Sequence, residues 1–338
     1  MPAASVILPC HNAAATIDET LESLARQTLA DFEVIAVNDG STDATGERLT
    51  AWAARDSRFR VFSQPRGGVV AAANAALERT RAPFIARMDS DDRAHPQRLE
   101  KQVACLRAHP DVAVVGSWVR AFHEDGVREG YRIYIEWLNS LVTDADIRRE
   151  IFVESPLANP STMLRREWFE RMGGYHDYGW PEDYDLWLRM YLAGAKFAKI
   201  PEVLLEWRDH PERITRTDKR YSVENFLRAK AHYLARGPLR GRDAVIVWGA
   251  GMMGRRLGKQ LQRNEVPLVA FVDVDPRKIG RTRRGKPIIA PDDLPAWWAR
   301  YTHPALLAAV GARGARGIIR AHLNRLGLAE GQDWWAAA

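Results

Sequence analysis

Short apolar segments alternate with helical patterns along the first 120 residues of the chain. The apolar segments predict strands buried on both faces of a sheet, at 5–8, 33–37, 60–62, 84–88 and 112–115. The stretches between them place apolar residues three or four positions apart, which is the spacing of one helix face. Repeated β-α units of this kind predict an α/β fold with a mostly parallel sheet flanked by helices.

The first of these helices has a start signal. Thr16 and Glu19 have the spacing of a capping box, and Ile17, Leu21 and Leu24 follow at helical period. We therefore expect the Thr16 side chain to cap this helix.

The pattern is looser after residue 121. Residues 131–154 contain many apolar and aromatic side chains without a clean period, so no element is predicted there. Further along, the predicted elements are helices at 182–192 and 221–236 and two short strands within 196–207, on either side of Pro201. Glycine and proline within 237–241 then favour a domain boundary.

A second β-α pattern follows this boundary. It comprises strands at 244–248, 268–272 and 306–310, with a glycine-rich turn and a helix after the first and the last. The predicted organisation is a larger α/β domain at 1–218, a helix and linker at 219–241, and a smaller α/β domain at 242–338.

The composition is that of an ordinary globular protein. Of 338 residues, 46% are hydrophobic and 27% are charged, and 49 Lys and Arg against 43 Asp and Glu give a formal charge of +6. These values argue against a disordered chain. Because the basic residues are scattered among acids, we expect no nucleic-acid partner. The positive balance suits anionic ligands such as nucleotides, or a peripheral contact with an anionic membrane.

Cysteine usage and hydropathy indicate a compartment. Cys10 and Cys105 are too few for a disulfide framework or a cysteine metal cluster, and they fit a reducing cytosol. The first residues lack a basic segment followed by a long apolar run, and no stretch reaches about 18 uninterrupted apolar residues. We therefore expect no signal peptide, no membrane span and a cytoplasmic location.

Three acidic residues directly follow the predicted strand 84–88. Asp89, Asp91 and Asp92 would lie at the carboxyl edge of the sheet, where open α/β sheets bind ligands. Carboxylates this close raise each other's pKa unless a cation lies among them, and oxygen ligands suit Mg²⁺ or Mn²⁺. The alternative is a solvated acidic loop that caps the helix beginning near Pro96.

Asp39 ends another predicted strand, within the segment 38–43. Asn, Asp and Gly all favour turns, so turn chemistry alone would explain this segment. Together with the acids after residue 88, Asp39 instead indicates one crevice. In that crevice one carboxylate would contact a ribose or base, and the others would serve a metal and a diphosphate.

These segments occur in an order that resembles a known family. They are 5–12 (SVILPCHN), 37–43 (VNDGSTD), 86–92 (ARMDSDD), 173–175 (GGY) and 182–187 (EDYDLW). The set resembles the family 2 glycosyltransferases of the GT-A fold over roughly residues 3–215. The resemblance implies a nucleotide-diphospho-sugar transferase domain, and the part after residue 241 resembles the small Rossmann-like modules attached to sugar-modifying enzymes.

The resemblance also implies roles for individual residues. Asp183 matches the general base that takes the proton from the acceptor hydroxyl, and Glu182 would shape the acceptor site. One base and a single displacement give inversion at the sugar carbon. The remaining implied residues are the donor-binding Pro9, Asn12, Asp39, Asn74 and Asp89, and the ligands Asp89, Asp91 and His210 of a Mg²⁺ or Mn²⁺ ion.

Three of these positions have a plainer explanation. His210 would be a surface residue before Pro211, Asn74 a helix-packing amide, and Asp183 a helix cap. The chain also departs from the family's pattern at four positions, which leaves the donor sugar open. His11 stands where an aromatic residue is frequent, Arg66 where an Asn is usual, Ala73 where an Arg is frequent, and Asn159 where a His is frequent.

The glycine turn of the second pattern has the context of a dinucleotide fingerprint. Gly249, Gly251 and Gly254 follow a strand and open a helix, and Asp273 ends the next strand. Such glycines let a phosphate reach the helix N-terminus. With the second glycine turn at 311–317, they suggest another site for NAD, another nucleotide or a sugar phosphate. The alternative is a pair of tight turns that bind nothing.

Three functions from different classes follow. The first is an inverting, metal-dependent glycosyltransferase. It would move a sugar from a nucleotide-diphosphate donor to a glycan or lipid-linked acceptor in surface polysaccharide assembly, at the inner face of the membrane. The second is an NAD-dependent oxidoreductase centred on 242–338, which that short region argues against. The third is a catalytically inactive nucleotide-sugar-binding protein, against which the intact acids at 89, 91 and 183 argue.

Overall fold

In the computed structural model, residues 1–123 and 126–338 are described, and they form two compact units. The first unit comprises Met1–Ile147, Pro156–Tyr178 and Asp185–Thr217, and the second Arg148–Ser155, Gly179–Tyr184 and Asp218–Ala338. The predicted regions are contiguous in sequence, whereas two short segments ahead of residue 218 group with the C-terminal part. That the predicted regions are separate domains stays a prediction.

The strands are, in chain order, β1 (Ala4–Cys10), β2 (Phe32–Asp39), β3 (Phe59–Gln64), β4 (Phe84–Arg87), β5 (Arg93–Ala94), β6 (Val112–Phe122), β7 (Met163–Arg165), β8 (Lys196–Arg208), β9 (Ala244–Trp248), β10 (Leu268–Val272), β11 (Thr282–Arg283), β12 (Lys286–Ile289), β13 (Pro304–Ala308) and β14 (Trp334–Ala336).

The α-helices are α1 (Ile17–Ala25), α2 (Thr45–Arg55), α3 (Gly68–Glu78), α4 (Arg98–Ala108), α5 (Glu129–Ser140), α6 (Asp144–Glu150), α7 (Arg166–Met172), α8 (Glu182–Leu192), α9 (Ile214–Thr217), α10 (Val223–Arg236), α11 (Met252–Arg263), α12 (Leu294–Trp298) and α13 (Ala315–Arg325). Short 3₁₀ turns lie at Asn159–Ser161, Lys219–Tyr221 and Pro291–Asp293.

Within the described residues, eight strands form the sheet of the first unit, in the order β3-β2-β1-β4-β7-β6-β8-β5. The pairs among β3, β2, β1 and β4 are parallel, as is β6 with β8, whereas β7 and β5 run antiparallel to their neighbours. Val6, Leu8 and Val34 pack with Leu21 of α1 and Leu99 of α4 in one core. The predicted α/β fold with a mostly parallel sheet is confirmed, and the carboxyl ends of β1, β2 and β4 share one edge.

The second unit contains the second predicted sheet. Its strands have the order β11-β12-β10-β9-β13-β14 within the described residues, and all neighbours except β11 and β12 are parallel. β9 and β13 are buried throughout, and Trp334 of β14 packs into the core beside Ile246 and Leu306. The likeness of this unit to a Rossmann-like module stays a prediction.

The segment at 131–154 is helical, although no element was predicted there. Tyr131, Tyr134 and Trp137 lie three residues apart on α5, with ring centroids 5.9 and 5.8 Å apart in the successive pairs. They are partly buried against the core of the first unit. An amphipathic aromatic ring can lie partly buried, so the apolar period on this helix is weaker than on the helices that present aliphatic side chains.

The segment 196–207 forms one strand rather than two. Its pairing with β6 steps from Ile200 opposite Ser117 to Val203 opposite Trp118, so Pro201 lies in a local irregularity of the ladder. A proline lacks the N–H that a ladder needs and is tolerated at such a bulge. The strand therefore continues past Pro201.

The predicted capping box on α1 is wrong. The Thr16 hydroxyl donates to Ser90 O at 3.0 Å and makes no cap bond, and the Glu19 carboxylate pairs with Arg93 and Arg208. Thr16 thus contacts the loop after β4, and Glu19 contacts β5 and β8. Among the described helices, none combines the length and the apolar character that a membrane crossing requires.

Candidate functional site

The three acids after β4 converge. One ligand oxygen from each of Asp89, Asp91 and Asp92 lies within 4.8 Å of the other two. Asp92 is fully buried, and its Oδ1 accepts a hydrogen bond from Arg208 N at 2.8 Å. Its Oδ2 is buried with no hydrogen-bond partner among the described residues. A buried carboxylate oxygen left unpaired is unfavourable, and a bound cation would relieve it.

Basic side chains surround these acids. The buried Arg87 places Nη2 2.7 Å from Asp89 Oδ1, and Arg208 Nε donates to the backbone oxygen of Asp91 at 2.7 Å. His210 Nε2 lies 3.0 Å from Asp91 Oδ2. The structure therefore brings together Asp91 and His210, two of the predicted metal ligands that lie 119 residues apart in the sequence.

The electrostatics of the cluster favour a cation. Burial raises the pKa of Asp89; Arg87 opposes this shift and Asp91 adds to it. Burial raises the pKa of Asp92 far more, and the carboxylates of Asp91 and Asp89 add to that shift. A divalent ion favours the charged form of its ligands, and carboxylate oxygens are the ligands that Mg²⁺ and Mn²⁺ prefer. The residues present fit such an ion.

A buried arginine that sequence reasoning missed supports this loop. Arg98 on α4 is fully buried, and its Nη2 donates to Arg87 O at 2.7 Å and to Thr162 O at 3.3 Å. Its Nε donates to Gln102 Oε1 at 3.2 Å, and burial lowers its pKa to about 10. The sequence signal that could have revealed it is the pair Arg98 and Gln102. These polar residues lie four positions apart, beside the apolar face of a helix that packs on the sheet.

Asp39 lies at the end of β2 and is almost completely buried. Its Oδ1 accepts from Gln64 Nε2 and from Gly67 N, both at 2.8 Å, and its Oδ2 accepts from Gly68 N at 2.8 Å and from the Arg66 guanidinium. Burial alone would raise the pKa of Asp39, but these hydrogen bonds hold it below its usual value. The carboxylate is therefore ionised at neutral pH.

The end of β1 is tied to the end of β2. Asn12 has φ of 47°, and its Oδ1 accepts from Thr42 N at 2.9 Å. His11 Nδ1 lies 2.9 Å from Asp39 O, and Pro9 is buried within β1 opposite Val37. These contacts place Pro9 and Asn12 beside Asp39 at the same edge of the sheet.

The amide of Asn74 is used on both sides. Its Nδ2 donates to Tyr175 O at 2.8 Å, and its Oδ1 accepts from Tyr175 N at 2.9 Å. A Cβ added at Gly174, where φ is 75°, would lie 2.7 Å from that Oδ1. Asn74 thus fixes the Gly-Gly-Tyr segment, and its predicted contact with the donor stays a prediction.

The predicted acceptor residues begin α8 and belong to the second unit. Glu182 is buried; its Oε2 accepts from the Tyr221 hydroxyl at 2.7 Å and lies 3.8 Å from Arg220 Nη1. Asp183 lies in the first turn of the helix, where the helix dipole favours a negative charge, and its Oδ1 accepts from Tyr184 N at 2.7 Å.

The glycine turn after β9 is explained by contacts within the second unit. A Cβ at Gly254 would lie 1.7 Å from Gly249 O, whereas one at Gly251 would meet nothing within 4 Å. Asp273 Oδ2 accepts from Ala250 N and from Lys278 Nζ, both at 3.0 Å, and its Oδ1 accepts from Asp275 N at 3.0 Å. Asp273 therefore closes the turn, and its predicted ribose contact stays a prediction.

The chain belongs to the family described as glycosyl transferase family 2, whose sequence profile matches residues 5–173. A second profile, described as C2185-like, N-terminal, matches residues 241–309. The amylovoran biosynthesis glycosyltransferase AmsE of Erwinia amylovora is 32% identical over 57% of this chain and 70% of its own. The O-antigen biosynthesis glycosyltransferase WbnJ of Escherichia coli is 28% identical over 67% of this chain and 89% of its own. The chain is therefore a glycosyltransferase.

The fold of this chain is similar to that of two solved structures. The crystal structure of S. aureus TarS 1–349 with UDP-GlcNAc superposes with a TM-score of 0.57 at 20% identity, over 78% of this chain and 72% of that one. The mannosyltransferase PcManGT of Pyrobaculum calidifontis, in complex with GDP-Man and Mn²⁺, gives 0.51 at 22% identity, over 69% and 62%. The predicted GT-A fold is confirmed.

Proposed function

We propose that this protein is an inverting, divalent-metal-dependent glycosyltransferase that moves a sugar from a nucleoside-diphosphate donor to a hydroxyl of a glycan or lipid-linked acceptor. The observation that carries the proposal is the convergence of Asp89, Asp91 and Asp92 at the carboxyl end of β4, with His210 Nε2 3.0 Å from Asp91 Oδ2. Acids in this arrangement, one with an unpaired buried oxygen, suit a hard cation.

In this proposal Asp89, Asp91 and His210 would hold Mg²⁺ or Mn²⁺. When bound, the ion supplies Lewis-acid stabilisation of the leaving diphosphate. Arg87 holds Asp89 in place, while Arg208 fixes the backbone of the loop through Asp91 O. The loop is thereby ordered before the donor arrives, which lowers the entropy lost on binding.

The nucleoside lies at the ends of β1 and β2, where Pro9, Asn12 and Asp39 are placed together by the parallel pairing of the two strands. Asp39 accepts a hydrogen bond from the base. Asp183 takes the proton from the acceptor hydroxyl, and its place in the first turn of α8 favours the ionised form that a base needs. Glu182, held by Tyr221, shapes the acceptor side.

The relatives suggest the acceptor class. AmsE and WbnJ carry names that refer to amylovoran and O-antigen biosynthesis, and we extend surface polysaccharide assembly to this chain. A peripheral contact with the inner face of the membrane and a cytoplasmic location remain predictions. The UDP-GlcNAc and the GDP-Man with Mn²⁺ in the solved neighbours support a nucleotide-sugar donor and a divalent ion.

The test is a panel of UDP-, dTDP- and GDP-sugars, assayed for release of nucleoside diphosphate with Mn²⁺, with Mg²⁺ and with excess EDTA. We expect turnover that EDTA abolishes and that Asp91→Ala reduces by about 10²-fold or more, because a metal ligand is lost. Asp111→Ala is the control, since Asp111 is an exposed acid paired with Lys196. Full activity of Asp91→Ala in EDTA would refute the metal role.

A further inference from the structure

The carboxylate of Asp39 has no unused acceptor position in this structure. A carboxylate offers about four lone-pair positions. Here Oδ1 accepts from Gln64 Nε2 and Gly67 N, and Oδ2 accepts from Gly68 N and the Arg66 guanidinium. A base that uses this carboxylate must therefore replace one of the four donors.

Three of the four donors are held by the fold. Gln64 lies opposite Asp39 in the register of β3 with β2. The N–H groups of Gly67 and Gly68 belong to the start of α3, so moving them would unwind the first turn of that helix. A Cβ built on Gly40 would lie 2.7 Å from Arg66 N, which shows how closely the two loops pack at the backbone.

The fourth donor is free to leave. The Arg66 side chain is 51% exposed, whereas that of Asp39 is 2% exposed. The half-exposed guanidinium loses little on leaving, because water solvates it almost as well as the carboxylate does. The buried carboxylate keeps its other three donors and needs a replacement only for the fourth.

We infer that Arg66 is an exchangeable counterion that occupies Asp39 in the absence of donor, and that its departure leaves one acceptor position, which selects uracil or thymine as the donor base. The inference rests on the proposed function, because it takes Asp39 as the residue that meets the base. Uracil and thymine each present one imide N–H. Guanine presents two adjacent donors, N1–H and the 2-amino group, and needs two acceptor positions; cytosine has no imide N–H.

The charge on Asp39 makes the exchange selective. Its three remaining donors keep the carboxylate ionised, so the imide N–H forms a charge-assisted hydrogen bond, which is stronger than a neutral one. A base without such a donor leaves the buried carboxylate short of one partner once Arg66 has moved. The sugar donor is therefore a UDP-sugar or a dTDP-sugar.

Calorimetry on the full chain with Mn²⁺ tests the base class. We expect UDP and dTDP to bind about 10- to 100-fold more tightly than CDP, GDP and N3-methyl-UDP, which is the effect of losing one hydrogen bond to a charged acceptor. N3-methyl-UDP keeps the diphosphate and both carbonyl groups, so the imide N–H is the hydrogen-bonding group that it lacks. CDP lacks the same N–H without the added methyl group. Equal affinity of UDP and N3-methyl-UDP, or tighter binding of GDP than of UDP, would overturn the inference.

Arg66→Ala tests the exchange itself. Removing the competitor should tighten UDP binding about two- to fivefold, the size of a half-exposed ion pair, and should leave the weak binding of N3-methyl-UDP weak. The exposed Arg107→Ala on α4 is the matched control and should bind UDP as the wild type does. If Arg66→Ala weakens UDP binding, Arg66 is a nucleotide ligand and the inference is wrong.

The inference and the proposed function can fail separately. These titrations measure binding and need no acceptor and no turnover. Absence of transfer from every sugar nucleotide, with the UDP preference and the gain in Arg66→Ala intact, would overturn the proposed function alone. Metal-dependent transfer from a GDP-sugar, with Arg66→Ala unchanged in UDP affinity, would overturn this inference alone.

Discussion

Single side chains at the edge shared by the carboxyl ends of β1, β2 and β4 link chain segments that are far apart in sequence. Arg208 bonds the Asp91 backbone oxygen and pairs with Glu19 of α1, while its own N–H meets Asp92 Oδ1. Arg98 of α4 donates a hydrogen bond to the backbone oxygen of Arg87 at the end of β4. All four of these contacts come from the side chain or backbone of an arginine. They hold the acidic loop in its conformation against the mutual repulsion of its carboxylates.

Asp183→Asn should bind the donor as the wild type does and lose transfer. An amide is close to a carboxylate in shape but cannot take a proton, and a general base contributes about 10²–10⁴-fold in rate. Donor affinity by calorimetry and transfer rate on the same sample check this, with the exposed Asp31→Asn as control. Transfer near the wild-type rate with collapsed donor affinity would mean that Asp183 is a donor ligand.

Lys199 gives a pH dependence to stability. It is 4% exposed on β8, its Nζ donates to Leu138 O and Pro156 O, and burial lowers its pKa to about 7. The unfolded chain holds this proton up to about pH 10.4, so folding releases it between about pH 7 and 10. The stability associated with Lys199 is therefore fully present above that window and is lost as the pH falls through it.

Lys199→Met should remove this contribution. We expect the unfolding free energy of the wild type, relative to the variant, to rise between pH 7 and 9.5. Urea denaturation at several pH values measures it, with the exposed Lys219→Met as control. Parallel pH profiles for wild type and Lys199→Met would show that Lys199 titrates alike in both states.

At the scale of elements, glycine turns fix how strands meet the helices that follow them. Gly249 has φ of 121°, a region that L side chains rarely adopt, and it lies against Ala309 of the neighbouring strand's end. Gly254 lets the start of α11 approach Gly249 O. The turn after β9 is thus explained by packing, whether or not an anion binds there.

Gly251 and Gly254, the last two glycines of this turn, should respond differently to substitution. Gly254→Ala places a Cβ against a backbone oxygen and should lower the unfolding free energy by about 1–3 kcal/mol. Gly251→Ala meets open space at an ordinary φ of −75° and should leave stability within about 0.5 kcal/mol. Chemical denaturation compares the two variants. Equal losses of unfolding free energy in the two variants would show that the close approach of Gly254 to Gly249 O does not decide the effect.

At the scale of the molecule, the second unit gathers segments from three parts of the chain. Glu150, from Arg148–Ser155, is 6% exposed; its Oε1 lies 3.1 Å from Arg320 Nη2, and its Oε2 pairs with Arg316. Tyr184, from Gly179–Tyr184, donates from its hydroxyl to Ile151 O at 2.7 Å. A cut at residue 241 would therefore remove the partners of a buried carboxylate.

The double variant Arg316→Met, Arg320→Met should destabilise the protein by about 3 kcal/mol. Breaking a buried ion pair from one side costs about 3–5 kcal/mol, and Arg149, 3.6 Å away, retains part of the attraction. Glu150→Gln added to the pair should restore the part of the loss that comes from Glu150, whereas Glu330, whose Oε2 lies 2.7 Å from Arg320 Nε, still lacks its partner. Thermal or urea unfolding measures both. Failure of the third substitution to rescue would place the loss in packing, not charge.

The sequence left β5, β7, β11, β12 and β14 unpredicted. It determined by itself the order of β1–β4, β6, β9, β10 and β13, the acids at the ends of β2 and β4, and the family. These are local properties, because a buried strand and the polar residues that end it are encoded in one short segment. Where the local pattern was ambiguous, the prediction failed: aromatic spacing hid α5, and Thr16 and Glu19 had the spacing of a capping box without forming one.

Only the tertiary structure decided which partners the polar groups have. Gln64 and Arg66 reach Asp39 because β3 pairs with β2 in one register. Arg98 reaches Arg87 O at the end of β4 because α4 packs on β6, β7 and β8 of the same sheet. Glu150 meets Arg316 because two distant segments join one unit. The sequence offers several possible hydrogen-bond or ion-pair partners for each polar side chain. Its actual partner depends on which strands and helices pack together, and a single segment does not contain that information.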